Sequence, residues 1–431
     1  MTLMHSYPAT LRYLYGLQGR GMKFGLRNIQ KLLVSVGNPE RRLPAIHVAG
    51  TNGKGSTAAF LASAFMEAGY RTGLYTSPHL VRFTERIRIN GKQIPERRLA
   101  AYVAALRPAI EKTGATFFEA TTCAAFQYFA DEKVDIAIIE VGLGGRLDAT
   151  NTLAPLASVI TTIGFDHMEY LGPTIPSIAR EKGGIIKGRT PVILGPVDQA
   201  AERVIGKIAR ERHAPLVRAK DRLALDCGRE GRVSFRGEHL KTGLVRVGLD
   251  GAHQTFNAAL AVAVLDVLLD RASFAVRYRR LSGARVARGL EHVRANTGLE
   301  GRMSVAGSGK RVILDVAHNR DGMRTAVASL LGGGIGNLTA VFGVMKDKDY
   351  LPMLRELEWV ADTVITVRPR TARAASAAVL CKAARRMGLR AVEGGTVAKG
   401  LRRALKGKQR ILVIGSHYVV GEALQVLKKS T

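Results

Sequence analysis

The chain has 431 residues, of which 46% are hydrophobic and 23% charged, which excludes intrinsic disorder and a fibrous repeat and predicts two domains. Its three cysteines form no CxxC pair, which argues against a disulfide framework and a zinc site and is typical of a reducing cytoplasm. The formal net charge is +30, which is compatible either with polyanions or with small anionic substrates.

Targeting and partner signals are weak. The basic clusters at 277–280 and 402–408 have no helix-turn-helix, zinc-finger or aromatic RNA-binding signature beside them, so we expect a solvated basic surface and no nucleic acid partner. No uncharged apolar run approaches the 18 or more residues that cross a bilayer, and the start lacks a charged stretch followed by an apolar one. We therefore expect a cytoplasmic protein, a monomer with small-molecule partners and no membrane association.

Short β-branched runs alternate with longer amphipathic stretches in the first half of the chain. Strands are predicted at 45–49, 134–139, 157–163 and 191–194, and helices at 57–68, 96–112, 119–130 and 175–186. This alternation is typical of an α/β fold in which helices wrap a mainly parallel sheet. Together with the glycine-rich loop and lysine at 50–56, directly after the first of these strands, it predicts an N-terminal P-loop-type domain.

The pattern changes further along the chain. Residues 228–250 indicate a small antiparallel elaboration, followed by a helix starting near Asn257. Turn-forming residues at 295–301 mark the domain boundary, which gives a first domain over 1–296, containing the P-loop-type sheet, and a second domain over 297–431. Strands predicted at 311–315, 338–342, 363–367 and 411–415 alternate with helices there. The second domain is thus predicted to be a smaller, Rossmann-like α/β domain.

A phosphate-binding loop is the strongest local signal. It lies directly between a predicted strand and a predicted helix, and its candidate ATP-binding residues are Thr51, Asn52, Gly53, Lys54, Gly55 and Ser56. In this context backbone N–H groups face the phosphates, the helix N-terminus adds positive potential, and Lys54 reaches the β and γ phosphates. Val48 replaces the first glycine of the usual P-loop, and Gly55 separates the lysine from the hydroxyl of Ser56. A generic NTPase is therefore a poorer match.

Three candidate metal ligands follow or end predicted strands, namely Ser77, Glu140 and His167. Loops at the carboxyl ends of parallel strands converge on one crevice, so these side chains could share a magnesium site. Taken singly, Glu140 could cap a helix or form an ion pair, and His167 could be a surface or core histidine. The residues alone leave these alternatives open.

These segments, in this order, resemble a known family. The segments 50–56, 75–80, 139–151, 164–172 and 178–186 are similar to motifs of the ligases that include folylpolyglutamate synthase, dihydrofolate synthase and the muramyl-peptide ligases. Gly55 is typical of the folate branch, and the resemblance extends from about residue 20 to about residue 420. It implies an ATP-dependent ligase that converts a folate-type carboxylate into an acyl phosphate and joins it to glutamate, with release of ADP and phosphate.

The resemblance also implies roles for individual residues. Ser77 and Glu140 would hold one Mg²⁺ and His167 a second, while Lys54 would contact the phosphates of ATP. Lys182 would be carbamylated, so that an anion supports the second metal. Carbamylation requires an unprotonated amine, which predicts a partly buried Lys182 with a depressed pKa.

The second part of the chain carries four more residues matched to the family. Asn257 would contact adenine, although a helix cap is an equally good interpretation. Arg302 would reach the nucleotide phosphates, Asp315 would approach ATP, and His318 would lie near the reacting centre and could accept the proton of the attacking amine. Arg320 replaces a proline that is common in relatives.

The candidate binding site for the acid substrate resembles the pterin-acid site of dihydrofolate synthases. It consists of Thr116, Phe117 and Asp148. Phe117 could equally be a core residue, and residues 24–26, including Phe24, would form another wall of the pocket. This match favours a bifunctional enzyme that uses dihydropteroate and reduced folates. Two rivals remain, a muramyl-peptide ligase acting on a UDP-sugar peptide and a basic nucleic-acid-binding P-loop ATPase.

Overall fold

The computed structural model describes residues 6–21, 25–307, 309 and 311–428. Phe24, predicted to line the acid pocket, lies outside the described residues. The chain forms two compact units, and each is described by itself. The first contains most of the residues up to Gly298 and the second contains those from Leu299 onward, and two short segments, Pro78–Phe83 and Leu249–Thr255, group with the second unit.

An eight-stranded sheet forms the centre of the first unit, in the order β4-β3-β2-β5-β1-β6-β7-β8. The strands are β1 Ala45–Ala49, β2 Thr72–Tyr75, β3 Ile87–Ile89, β4 Lys92–Gln93, β5 Ile136–Glu140, β6 Ala157–Ile160, β7 Val192–Leu194 and β8 Leu216–Arg218. The six strands from β2 to β8 in that order are parallel, and only β3 and β4 are antiparallel. Every residue of β1 and β5 is buried, as expected for central strands covered on both faces.

Thirteen helices accompany this sheet along the described chain up to Thr297. They are α1 Tyr7–Gly16, α2 Arg27–Ser35, α3 Lys54–Glu67, α4 Glu96–Thr113, α5 Phe117–Asp131, α6 Met168–Leu171, α7 Ile175–Gly183, α8 Gln199–Glu211, α9 Ala219–Arg222, α10 Ala252–Leu269, α11 Ala272–Arg277, α12 Gly283–Glu291 and α13 Val293–Thr297. The predicted antiparallel elaboration is a hairpin of β9 Ala224–Cys227 and β10 Val233–Arg236. The turns that follow β10 lead into α10.

The start of α10 corrects one interpretation. The sequence predicted a helix beginning near Asn257, with a helix cap as one role for that residue. The helix begins at Ala252, directly after Gly251, whose φ of 105° turns the chain. Asn257 therefore lies inside the helix and cannot be its N-cap.

Helix α10 also has the length and apolar composition that a membrane-spanning helix would need, although it is not an uncharged run because it contains Asp266. Its mean hydropathy is 1.4 over 18 residues, and 67% of that stretch is buried within the protein. Asp266 within it is fully buried and forms an ion pair with Arg222. These properties are those of a core helix.

The second unit contains a six-stranded sheet in the order β11-β12-β16-β13-β14-β15. Its strands are β11 Ser304–Ala306, β12 Val312–Leu314, β13 Leu338–Phe342, β14 Ala361–Arg368, β15 Ala391–Thr396 and β16 Ile411–Ile414. Its helices are α14 Arg320–Gly332, α15 Tyr350–Leu357, α16 Ala377–Arg386, α17 Val397–Leu405 and α18 His417–Lys428. All its strands except β11 are parallel. The predicted α/β class of both units is confirmed.

Helices cover both faces of this second sheet. Alternate residues of β13 point to opposite faces: Phe342 packs in one core cluster with Leu380 of α16, and Val341 in another with Leu401 of α17. The charged faces of α16 and α17 are consequently turned to solvent.

Candidate active site

The predicted phosphate loop follows β1 and leads into α3. Gly50 has a φ of 152°, and a Cβ there would lie 1.8 Å from Oγ1 of Thr161, so only glycine fits. Gly53 has a φ of 85° and immediately precedes Lys54, the first residue of α3. The helix thus starts three residues before the predicted 57, because the left-handed glycine lets the chain turn directly into the helix.

Residues after β6 hold this loop in place. The backbone N–H of Thr51 donates to the carbonyl of Thr162 at 2.7 Å, and that of Asn52 donates to the Thr162 hydroxyl at 3.0 Å. The Thr161 hydroxyl donates to the Asn52 carbonyl at 2.6 Å. The predicted strand 157–163 ends at Ile160 because the next residues serve the loop. Sequence reasoning missed both threonines, although two hydroxyls directly after a buried strand were the available signal.

Two lysines meet at one carbonyl of the loop. Nζ of Lys54 donates to the carbonyl oxygens of Gly50 and Thr51 at 3.0 and 3.1 Å. Nζ of Lys182, from α7, donates to the same Gly50 oxygen at 2.9 Å. The structure therefore brings together two predicted catalytic residues that are more than 120 positions apart in sequence.

Lys182 meets the predicted requirement of burial and a lowered pKa. Its side chain is buried, with 4% of the residue exposed. Burial, followed by the positive charge of Lys54, lowers its pKa to about 7, although Asp166 and Asp148 act in the opposite direction. A large fraction of the amine is consequently neutral near pH 7.

The predicted metal ligands Ser77 and Glu140 are neighbours. Glu140 is the last residue of β5 and is 4% exposed, and its Oε2 accepts a hydrogen bond from the backbone N–H of Ser77 at 3.0 Å. The adjacent strands β2 and β5 run in parallel, so their carboxyl ends bring the two residues to one edge. Glu140 does not cap a helix here.

His167 is at the start of the short helix α6 with a φ of 50°, an uncommon conformation for a residue with a Cβ. Its backbone N–H donates to Oδ1 of Asp166 at 2.9 Å, and its Nε2 is 3.8 Å from the same oxygen. Asp166 was not predicted as a site residue, although its place directly before a candidate ligand was a usable signal.

The predicted acid-site residues lie around the start of α5. Thr116 caps the helix and forms a capping box with Glu119. Phe117 is half-buried and stacks on Tyr15, with ring centroids 5.8 Å apart and planes inclined by 13°, and the guanidinium of Arg86 lies 5.4 Å from its ring centre. Tyr15 and Arg86 were not predicted. Phe117 is thus not a fully buried core residue.

Asp148 is fixed by its own loop. Its carboxylate accepts hydrogen bonds from the backbone N–H groups of Leu143 and Thr150 and from the Thr150 hydroxyl, at 2.9, 3.0 and 2.5 Å. That hydroxyl also meets Nε2 of the buried His47 at 2.8 Å. Because the Thr150 proton goes to Asp148, Nε2 of His47 donates, and burial lowers the pKa of His47 to about 3. Sequence reasoning missed this buried chain of three polar groups.

Asn257 contacts the phosphate loop. Its Oδ1 lies 2.5 Å from where a Cβ on Gly53 would be. A side chain at position 53 would therefore displace the amide of Asn257. The predicted ATP-binding residue and the loop are brought together by α10.

The predicted residues of the second unit surround the loop that follows β12. Asp315 accepts hydrogen bonds from the backbone N–H groups of Met303 and Ala317 at 3.0 and 2.8 Å, and burial raises its pKa. Nδ1 of His318 is 3.0 Å from the Val316 carbonyl oxygen, so Nδ1 carries the proton. Arg302 donates to the Gly301 carbonyl at 3.2 Å. Asp315 thus shapes the loop that presents His318.

Comparison with known proteins identifies the family. Residues 48–265 match the Mur ligase middle domain, and residues 301–417 match the Mur ligase glutamate ligase domain. The dihydrofolate synthase/folylpolyglutamate synthase of Bacillus subtilis is 37% identical over 374 residues, which cover 83% of this chain and 84% of that protein. The chain belongs to the dihydrofolate synthase/folylpolyglutamate synthase family of Mur ligases.

Further relatives agree along nearly the whole chain. The bifunctional enzyme of Escherichia coli is 33% identical over 97% of this chain and 94% of its own length. A structure of Escherichia coli FolC with DHPP and ADP has a TM-score of 0.87 at 30% identity and covers 98% of both chains. The folylpolyglutamate synthase of Mycobacterium tuberculosis bound to ADP has a TM-score of 0.88, covering 98% of this chain and 99% of that one.

Family membership confirms the predicted class of activity. The chain is an ATP-dependent ligase of the folate branch, and neither the muramyl-peptide ligase nor the nucleic-acid-binding ATPase is favoured. A relative from Yersinia pestis was solved with AMPPNP and a manganese ion. A divalent metal is therefore part of the chemistry of this family.

Proposed function

We propose that this chain adds L-glutamate both to dihydropteroate and to reduced folates, through an acyl phosphate formed from ATP. The observation that carries the proposal is the convergence of Lys54 and Lys182 on the Gly50 carbonyl. It joins a phosphate loop to a buried amine whose pKa is lowered by burial to about 7. In this reaction the substrate carboxylate attacks the γ phosphate, and the glutamate amine then displaces phosphate to form an amide.

The chain's own residues perform the positioning. Backbone N–H groups of residues 51–56 and the N-terminus of α3 receive the phosphates, and Lys54 turns from the loop carbonyls toward them when ATP is bound. Asn257 lies against Gly53 and contacts the nucleotide. Phosphoryl transfer depends mainly on positioning and charge neutralisation, so these residues supply most of what the first step needs.

Two Mg²⁺ ions are part of the proposal. Ser77 and Glu140 would hold one, and His167 and carbamylated Lys182 the second. The donor set fits, because Glu140 is a buried carboxylate beside Ser77 and oxygen ligands are those that Mg²⁺ prefers. When bound, the metals neutralise the phosphate charge and polarise the reacting oxygens. Lys182 fits as a carbamate, since a carbamate supplies the oxygen ligands that Mg²⁺ prefers whereas an ammonium group repels a cation.

The acid substrate would bind at Thr116, Phe117 and Asp148. Tyr15 and Arg86 pack against Phe117 and limit the motion of its ring. The exposed part of this ring would offer a flat surface to a pterin ring. The carboxylate of Asp148 is held by three hydrogen bonds, and so presents a fixed acceptor.

The second unit contributes a separate set of proposed residues. Arg302 and Asp315 would contact ATP, and His318 would take the proton released by the glutamate amine. Nδ1 of His318 is committed to the Val316 carbonyl, which leaves Nε2 as the basic nitrogen. The proposal further holds that the enzyme acts as a monomer in the cytoplasm on small-molecule substrates.

The decisive experiment measures acid-dependent ADP release by the purified protein with Mg²⁺ and glutamate. Dihydropteroate, a reduced folate and no acid are compared, and the product masses are determined. A gain of one glutamyl residue on both acids supports the bifunctional proposal, and a gain on only one contradicts it. ADP release that needs no acid but is stimulated by nucleic acid would identify the rival ATPase.

A further inference from the structure

The parallel strands of the second unit begin at an edge that is crowded with cations. Backbone hydrogen bonds align the starts of these strands. The N–H of Thr339 donates to the carbonyl of Arg410 at 3.0 Å, and the N–H of Val364 donates to the carbonyl of Arg390 at 2.9 Å. Helices α16 and α17 end at this same edge, because each leads into the next parallel strand. We call the following exposed residues the basic edge: Arg385, Arg386, Arg390, Arg402, Arg403, Lys406, Lys408 and Arg410.

The charge is concentrated far above the average of the chain. Among the 29 residues from 382 to 410, ten are Lys or Arg and only Glu393 is acidic, whereas the whole chain of 431 residues has 65 basic and 35 acidic residues. Basic residues are therefore about twice as frequent in this segment as in the chain as a whole. The general basicity of the protein does not account for the basic edge.

Internal partners do not neutralise this charge. Within the described part of the chain, none of the eight side chains forms an ion pair with a carboxylate, and Arg385 donates only to the Ala391 carbonyl at 2.9 Å. Helix C-termini favour cations, which accounts for the four arginines in the last turns of α16 and α17. It does not account for Arg390, Lys406, Lys408 and Arg410, which lie outside the helices.

The only tryptophan of the chain belongs to this edge. Trp359 is 71% exposed, and the next residue, Val360, accepts a hydrogen bond from the first residue of β13 at 2.8 Å. Trp359 thus lies two residues before the start of β14, a strand that the sheet order places between β16, which follows Arg410, and β15, which follows Arg390.

Glu358 precedes Trp359 in sequence, and Asp362 accepts a hydrogen bond from Gln409, next to Arg410, so the edge also carries carboxylates. An exposed aromatic ring on the same edge as arginines that form no ion pairs is an arrangement by which proteins stack unpaired bases and contact phosphates.

We propose that the basic edge with Trp359 binds single-stranded nucleic acid, with the phosphates on the arginines and lysines and a base stacked on the indole. An anionic membrane is disfavoured, because most apolar residues of α16 and α17 are buried in the core and Val379 alone, 51% exposed, does not make the exposed apolar face that membrane-surface helices need. Asp315 and His318 follow the carboxyl end of β12, so they lie at the opposite edge of this sheet. The surface is therefore distinct from the ligase residues of its unit.

The test uses Trp359 as its own reporter. The full-length enzyme is titrated with an oligouridylate of about 16 nucleotides, a length within the range of known single-strand sites, while intrinsic tryptophan fluorescence is recorded at several salt concentrations. We expect quenching and an affinity that falls steeply with salt. Absence of oligouridylate binding at low salt overturns the proposal.

Two quadruple variants with equal charge loss separate the site from general attraction. Arg402, Arg403, Lys406 and Lys408 are changed to Ala in one. In the other, the exposed residues Arg203, Lys207 and Arg210 of α8 and Arg212 directly after it are changed to Ala. The first should weaken binding by about tenfold or more and reduce the salt slope by up to about 3, while the second should bind nearly as wild type. Equal loss in both variants overturns the proposal, and unchanged glutamate ligation in both shows that they fold.

Anionic and neutral lipid vesicles complete the experiment. A blue shift of the Trp359 emission with anionic vesicles, together with no response to oligouridylate, would assign the surface to a membrane and overturn the nucleic acid proposal. A Trp359→Ala variant, followed by anisotropy of labelled oligouridylate, should bind more weakly than wild type if the indole stacks on a base.

Discussion

Basic residues are buried beside the phosphate loop of the first unit and exposed to solvent at the basic edge of the second. At the loop, Lys182 is buried beside a second lysine, and its pKa falls to about 7. At the basic edge, eight cations face solvent and keep their charge available. Burial turns a cation into a neutral amine that can react, whereas exposure leaves a surface that attracts anions.

The largest expected effect comes from removing the buried amine. Lys182→Ala should lower glutamate ligation by about 10³-fold or more, because it removes a group proposed to act in the reaction, and should largely retain ATP binding. The matched control is Arg180→Ala, an exposed residue on the same helix, which should retain turnover. Wild-type turnover in Lys182→Ala would show that the buried amine has no part in the reaction.

Burial of His47 provides a second test, through stability. Its folded-state pKa is lowered from 6.5 to about 3, so the unfolded chain binds more protons between these values. Folding stability should therefore fall as pH decreases through this window, by up to about 1.4 kcal/mol per pH unit. His47→Leu should reduce that slope in denaturant unfolding between pH 6.5 and 5, and an unchanged slope would contradict a neutral, buried His47.

The pH dependence of turnover tests Lys182 without mutation. Carbamate formation needs the neutral amine, and the pKa of Lys182 is about 7. The ammonium loses one proton and the reaction of the neutral amine with carbon dioxide releases another. At fixed dissolved carbon dioxide, turnover should therefore fall by up to about a hundredfold per pH unit below 7 and level off at the pH where the carbamate saturates the site. A profile that stays flat down to pH 6 would show that this lysine is not carbamylated through a neutral amine.

The smallest expected effect concerns the acid site. Phe117→Leu should raise the KM for dihydropteroate about five- to tenfold by removing ring stacking, which contributes about 1 kcal/mol, and should leave the KM for ATP unchanged. Tyr15→Phe retains the stack and serves as the control. Equal changes in both KM values would indicate general damage to the fold.

Sequence pattern was sufficient for the contiguous phosphate loop and for residues placed at the carboxyl ends of predicted parallel strands. The phosphate loop has the predicted strand before it and helix after it, and Ser77 and Glu140 are neighbours because the carboxyl ends of adjacent parallel strands meet. Burial and a low pKa for Lys182 were expected from the family resemblance, and the structure supplies the physical cause.

Sequence could not predict contacts that depend on the packing of distant elements. The shared Gly50 carbonyl, the approach of Asn257 to Gly53, and the chain from His47 through Thr150 to Asp148 each join separate segments. The basic edge is a further example. Residues 402–408 had the appearance of an ordinary solvated cluster, and only the fold aligns them with Arg385, Arg390 and Trp359.

The most direct measurement of the central claim is ¹³C NMR of the protein equilibrated with ¹³C-labelled bicarbonate, in wild type, Lys182→Ala and Arg180→Ala. A carbamate signal is expected in wild type and in Arg180→Ala and should disappear in Lys182→Ala. A signal that persists in Lys182→Ala, or no signal in an active wild-type enzyme, would contradict that claim.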